Sequence, residues 1–343
     1  MLSGMLLVIF WKIIMTKTYV ILEIARTYNS LEEAEKLINI AADEGVDAIK
    51  IQTIVAKDLM VLNDNTRSYF SMLESLHRTE EEHLLLKEMC DKRGIDFLST
   101  PESLDSVDML DKVGVKAFKV SSLNLVYDRL LRKILSKRKP VYLSTGMSTI
   151  EEIRHAYSIF KDLGAKLCLM HCSSTYPTDI FDANLANISF LSREFPSASI
   201  GYSDHTIGVV APALAVALGA SVIEKHFTLD RSQEGADHLV GIDPSNIRDM
   251  MAGIRDAEIM RGESTRVLPK KEAGMRQFKR RKLVASRDIH IGSVLRDDDL
   301  VCLQTKSDEG IDSKYLSRVV GMNLECKKII NKNSIIEWEM FDL

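Results

Sequence analysis

Eight short runs of apolar and β-branched residues, each followed by a helix-like stretch, fill residues 18 to about 255 of this sequence. They are YVILEI (19–24), AIKIQ (48–52), IDFLS (95–99), AFKVS (117–121), VYLST (141–145), KLCLMH (166–171), SIGYS (199–203) and SVIEKHF (221–227). Strands covered on both faces read as such near-continuous apolar runs. The segments between them carry helix signals. SLEEAEKLINIAADEG (30–45) opens on a Ser-x-x-Glu capping box, EEEHLLLKEMCDKRG (80–94) closes on glycine, and STIEEIRHAYSIFKDLG (148–164) has both features. Eight strand–helix pairs predict an α/β fold, a (β/α)8 TIM barrel. The rival is a doubly wound open sheet. It usually has a glycine-rich turn after its first strand, and EIARTYNS has none.

Beyond the barrel the pattern changes. KLVASRDIHIGSVLRDDDLVCLQ (282–304) alternates short strands with turns, and one short helical stretch follows. The expected division is an N-terminal extension (1–17), a catalytic barrel (18–261), a polar linker (262–281) and a small, mostly β module (282–343). MLLVIFWKII (5–14) is apolar but interrupted by Lys12, lacks a basic segment before it and a small-residue cleavage site after it, and is too short to span a bilayer. We read the first 14 residues as an upstream start or a surface appendage, and the protein as cytoplasmic with no membrane partner.

Charge and cysteine use narrow the function. A net charge of −4 does not suit a nucleic-acid surface, and the basic run KRRK (279–282) lies at the domain boundary. Five unevenly spaced cysteines fit reduced thiols better than a disulfide framework, and no CxxC pair suggests a zinc ribbon.

In a TIM barrel the chemistry gathers at the C-terminal ends of the strands. There this sequence places Glu23, Lys50, Gln52, Thr100, Lys119, Ser122, Ser144, Tyr176, Ser203, Asp204, His205, Glu224 and His226, with Asp237 in the following loop. Lys50 and Lys119 each interrupt an apolar strand, where a charge needs a partner. Ammonium groups and hydroxyls around one rim suit a phosphate-bearing anion. His205 and His226 end successive strands, so they can share a divalent metal or serve as two hydrogen-bonded structural histidines. His171 reads as a residue that shapes the rim.

SDHTIG followed by EKHFTLDR and GADH, with DAIKIQT, STPES, FKVSS, YLSTGMSTIEEI and HCSSTYPT in the same order, resembles the sialic acid synthases. These are the phosphoenolpyruvate-dependent nonulosonate synthases. LVASRDIHIGSVLRDDDL resembles their antifreeze-like (SAF) domain, so the resemblance covers residues 18 to 343. It implies condensation of phosphoenolpyruvate with an open-chain N-acyl hexosamine, N-acetylmannosamine or a modified analogue, to a nine-carbon 2-keto acid and phosphate. It implies a divalent metal, Mn2+ before Mg2+ or Co2+, and a domain-swapped homodimer. Carried over by position, His205 and His226 hold the metal. Lys50, Thr100, Lys119, Ser122, Ser144 and Ser203 surround phosphoenolpyruvate. Glu23, Tyr176 and Asp237 are the catalytic candidates, and Gln52, Tyr176, Asp237 and Lys306 face the sugar.

The departures fall on the sugar side. EIARTYNS stands where the family commonly reads EIGxNHxG, so Thr27 and Tyr28 replace Asn and His. Asn124 stands where many members carry an acid, and HCSSTYP replaces an HCTxNYP type of segment. Lys306 replaces an arginine, whose bidentate contact a lysine cannot reproduce. Two other functions remain open on the sequence. One is a metal-dependent barrel hydrolase built on His205, His226 and Asp237, although VILEIA lacks the usual His-x-His pair. The other is a non-catalytic carbohydrate-binding homologue, supported only by Asn124 and the altered sugar side.

Overall fold

The computed structural model describes residues 17–161, 164–263 and 265–342. The expectation for the first 14 residues lies outside that range. The chain divides into two compact units, Met1–Gly262 and Glu263–Leu343.

The first unit is a closed barrel of eight parallel strands in sequence order. They are β1 (Tyr19–Glu23), β2 (Ala48–Thr53), β3 (Asp96–Pro101), β4 (Phe118–Val120), β5 (Val141–Ser144), β6 (Leu167–Cys172), β7 (Ser199–Asp204) and β8 (Val222–His226). Each coincides with one of the eight runs to within two residues at either end. Strand alternation sorts the side chains into two layers. Ile21, Ala48, Leu98, Met170 and Val222 share one cluster, whereas Val20, Leu22, Ile49, Ile51 and Ile223 join the larger core with the helices. The same alternation carries Glu23 in the row of Ile21, Lys50 in that of Ala48, and Glu224 and His226 in that of Val222. Register completes the placement, because Glu23 is paired with Lys50 on one side and with His226 on the other.

Lys225 and Asp204 face the opposite way. They are register partners on β8 and β7, both side chains are fully buried, and Lys225 Nζ lies 2.6 Å from Asp204 Oδ2. The ammonium group also donates to the Thr206 carbonyl at 2.8 Å. Asp204 Oδ1 accepts from the Tyr202 hydroxyl and from the amide and hydroxyl of Thr206.

Three helix starts test the cap reading. At Thr79 a full capping box forms with Glu82. At Ser30 it is half formed: Ser30 Oγ accepts from the Glu33 amide, but the Glu33 carboxylate takes the Asn29 amide instead. In the 148–164 stretch the box belongs to Thr149 and Glu152, one residue later than Ser148, whose hydroxyl donates to the Gly146 carbonyl.

The second unit contains the antiparallel pair β9 (Arg281–Ala285) and β10 (Leu300–Gln304), isolated bridges and a short helix, Leu316–Gly321. Leu283, Ile289, Leu295, Ile311, Val319, Ile336 and Phe341 form its core. The stretch expected as a linker contains a helix, Lys270–Lys279, opened by Pro269. Its Lys, Glu, Met and Arg content favours helix without an apolar stripe, so hydrophobic periodicity gives no sign of it. Among the described residues no helix is long and apolar enough to cross a membrane.

Candidate active site

A cleft of about 420 Å³ opens at the C-terminal ends of the barrel strands. Its walls include Glu23, Lys50, Gln52, Thr100, Lys119, Ser122, Ser144, Tyr176, Ser203, His205, Glu224, His226 and Asp237. Every barrel residue that the resemblance assigns to catalysis, substrate or metal therefore faces one space, whereas Asp204, expected with them at the strand ends, does not, because its side chain turns to the opposite face of β7 and pairs with Lys225. Lys306 is an exposed residue of the second unit.

Charge at the floor is organised around Glu224. Its carboxylate lies 3.8 Å from Lys50 Nζ and 3.6 Å from Lys119 Nζ, and it accepts from Ser203 Oγ at 3.1 Å. Burial opposes its ionisation, but the Lys119 and Lys50 ammonium groups outweigh that and hold the carboxyl at about 2. Lys50 also pairs with Glu23 and donates to Thr100 Oγ1 at 3.3 Å. Burial works against its charge, but Glu224 and Glu23 raise its pKa. Lys119 donates to Ser144 Oγ at 2.7 Å and to the Val120 carbonyl at 3.2 Å. Burial lowers its pKa, and the nearby Lys50 charge adds to that. Two almost completely buried ammonium groups thus share Glu224, Lys50 takes Glu23 as well, and the hydroxyls of Thr100, Ser144 and Ser203 bond to this cluster. An anion entering here would compete with Glu224 and with Glu23, whose pKa burial raises, for the two ammonium groups.

The wall from β4 to β6 is tightly interlocked. The Gly146 amide donates to Ser122 Oγ at 3.0 Å. A Cβ at Gly146 would lie 2.3 Å from Ser174 Oγ and 2.9 Å from both Cys172 Sγ and Ser122 Oγ. Only glycine fits without displacing those side chains.

His205 and His226 face each other with ring centroids 5.5 Å apart. His205 Nδ1 donates to the Ser173 carbonyl at 2.6 Å, which leaves Nε2 with a lone pair and the Tyr176 hydroxyl as its donor at 2.8 Å. Tyr176 also stacks on this ring at 4.1 Å. His226 is buried, and its Nδ1 has no hydrogen-bond partner, with Asp237 Oδ2 3.3 Å away. Burial lowers both histidine pKa values, that of His226 well below the usual range, with the His205 charge adding to the effect there. Two neutral imidazoles, His226 with an Nδ1 that no described residue partners and His205 with an Nε2 lone pair that the Tyr176 hydroxyl occupies, suit a divalent ion as ligands. Among the described residues no cluster of three or more His, Cys, Asp or Glu forms a complete cage. The donor set therefore fits a metal with two protein nitrogens and the remaining positions open to substrate or water.

The signature of the NeuB family matches residues 37–266. The chain belongs to the NeuB family. It is 34% identical to N,N'-diacetyllegionaminic acid synthase of Legionella pneumophila over 94% of each chain. It is 33% identical to pseudaminic acid synthase of Campylobacter jejuni, covering 89% of this chain and 92% of that one. Among solved structures, N-acetylneuraminic acid (sialic acid) synthetase from Leptospira borgpetersenii, in complex with citrate, is 30% identical. It superposes with a TM-score of 0.73 over 77% of this chain and 92% of that chain.

This NeuB-family cleft also holds groups to which the sequence reading gave no role. Glu224 was noted only as a strand-end residue. Arg26, Tyr69 and Glu102 line the same space. Arg26 follows β1 within the divergent EIARTYNS, and its buried Nε has no hydrogen-bond partner. Asp237, whose pKa burial raises, is opposed in that by the Arg26 charge. A signal existed for both Arg26 and Glu102, since Glu102 directly follows β3 and Arg26 stands three residues beyond β1. His171 donates through Nε2 to the Ala183 carbonyl at 2.8 Å and does not line this cleft.

Proposed function

We propose that this chain condenses phosphoenolpyruvate with the open-chain aldehyde of an N-acyl hexosamine, giving a nine-carbon 2-keto acid and phosphate. The observation that carries the reading is the pair of buried lysines, Lys50 and Lys119, sharing Glu224 in a hydroxyl-lined cleft beside two neutral imidazoles. The family and the synthase activities for which its relatives are named support it.

In this reading Lys50, Lys119, Thr100, Ser122, Ser144 and Ser203 hold the carboxylate and phosphate of phosphoenolpyruvate. C3 of the enol attacks the aldehyde carbon, water adds at C2, and the C2–O bond breaks to release phosphate. The water oxygen becomes the C2 carbonyl and loses two protons, one ending on the aldehyde oxygen and the other on the departing phosphate. Tyr176 and Asp237 stand beside the imidazoles to serve the aldehyde oxygen, and Glu23 is placed to take a proton from water. A divalent metal, Mn2+ first, held by His205 and His226 would supply Lewis acidity toward the aldehyde. Gln52 would orient the acceptor. The departures at Thr27, Tyr28 and Asn124 favour a modified acceptor over N-acetylmannosamine. The reading further includes a cytoplasmic enzyme acting as a domain-swapped homodimer with Lys306 near the sugar, an assembly that light scattering checks.

The test is phosphate release from phosphoenolpyruvate with a panel of N-acyl and di-N-acyl hexosamines. Release that depends on one panel member supports the synthase. Absence of release with every member counts against it. Lys50→Met should weaken phosphoenolpyruvate binding about 10- to 100-fold by calorimetry, the worth of a charge-assisted hydrogen bond. An unchanged dissociation constant would remove Lys50 from the anion site.

A further inference from the structure

Glu102 follows Pro101, the last residue of β3. It is 5% exposed, yet it lines the cleft. Both of its hydrogen bonds converge on Oε2, from Asn124 Nδ2 at 2.5 Å and from Ser121 Oγ at 3.5 Å. Among the described residues nothing donates to Oε1, and no cation lies within ion-pair distance of the carboxylate. A carboxylate so far buried ordinarily has a cation or a full set of donors.

Asn124 explains why an acid is tolerated at position 102. Two carboxylates in hydrogen-bond contact cannot both ionise, whereas an amide donates to a carboxylate. The pair therefore holds one acid and one amide, with the acid on the β3 side and the amide at the position where the resemblance led us to expect an acid. The charge of the contact therefore sits on Glu102, and its Oε1, to which no described residue donates, is left to a ligand in the cleft.

Phosphoenolpyruvate cannot be the partner of that oxygen. Its trianion has no donor to offer and would be repelled. An acylamino sugar, in contrast, is rich in N–H and O–H donors.

Building on the synthase reading, we propose that Glu102 is a specificity-determining residue of the acceptor subsite. Its Oε1 accepts a hydrogen bond from an N–H or O–H of the acylamino sugar, while Asn124 positions the carboxylate through Oε2. The electrostatics agree with this geometry. Burial pushes the Glu102 carboxyl up to about 7, against the donors Asn124 and Ser121 and the more distant charges of Lys50 and Lys119. A donor on the ligand favours the ionised form, so acceptor affinity rises as pH passes upward through about 7.

The experiment compares wild type and Glu102→Gln by phosphate-release kinetics, using whichever panel sugar the wild type accepts. Gln keeps the shape and can still accept from Asn124, but it turns an NH2 or a weaker neutral oxygen toward the cleft. KM for the acceptor should rise about 10- to 100-fold, while KM for phosphoenolpyruvate stays within about twofold. The limb near pH 7 in kcat/KM for the acceptor should vanish. Asn124→Ala should keep that limb but move it to higher pH, because a donor to the ionised carboxylate has gone. An unchanged acceptor KM in Glu102→Gln, or equal rises for both substrates, overturns the proposal and leaves the synthase intact. If Glu102→Gln does not fold, an Asn124→Ala profile with no shifted limb overturns it as well. A wild type that releases no phosphate with any sugar overturns the synthase reading and this inference together.

Discussion

Lys225→Met should lower the unfolding free energy by about 3–5 kcal/mol, the cost of leaving one half of a buried ion pair without its partner. Asp204 and Lys225 are both fully buried and lie between strands and helices, away from the cleft. Water cannot reach Asp204 once the ammonium group is gone. Its remaining donors, Tyr202 and Thr206, all converge on Oδ1, and Oδ2 loses its only cation. The double variant Asp204→Asn with Lys225→Met should recover most of the loss, because no charge is then stranded. Urea unfolding reads this as a lowered midpoint with an unchanged slope. A loss under about 1 kcal/mol for the single variant would mean that the pair does not hold the barrel as described.

His226→Ala and His205→Ala should each strip bound divalent metal and lower kcat/KM by about 100-fold or more, since two protein nitrogens leave no redundancy. The readouts are metal content after dialysis and phosphate release. Tyr176→Phe is the comparison, because it removes only the hydroxyl that donates to His205 Nε2 and keeps the ring stacked on the imidazole. It should retain metal. Either alanine variant with wild-type metal and turnover would return these histidines to a structural role.

The barrel was legible because each strand is one compact apolar run between helix signals, and strand spacing needs no knowledge of partners. The strand-end residues were legible for the same reason. Their pairing was not. Lys50 and Lys119 visibly needed counter-charges, but that Glu224 would serve both depends on barrel closure, which brings β8 back beside β1. Glu102 and Arg26 escaped notice because each lies just past a strand end, where the loop path and not strand alternation sets the direction of the side chain. The helix at Lys270–Lys279 escaped notice because Met275 and Phe278 are its only large apolar residues, too few for periodicity to register. The cap at Thr149 was misplaced by one residue because Ser148 and Thr149 offer the same chemistry.

Gly146 has a consequence for how such a cleft can diversify. Its missing side chain lets Ser122, Cys172 and Ser174 close around one backbone atom, so the loops after β4, β5 and β6 fit as a single casting. A change in any of them disturbs all three. Arg26 stands on the loop after β1, the far side of an eight-stranded ring from β5, with a guanidinium nitrogen that no protein atom claims. Drift there leaves the interlocked wall untouched. The architecture thus separates a wall where substitutions are coupled through Gly146 from a loop that can change one residue at a time.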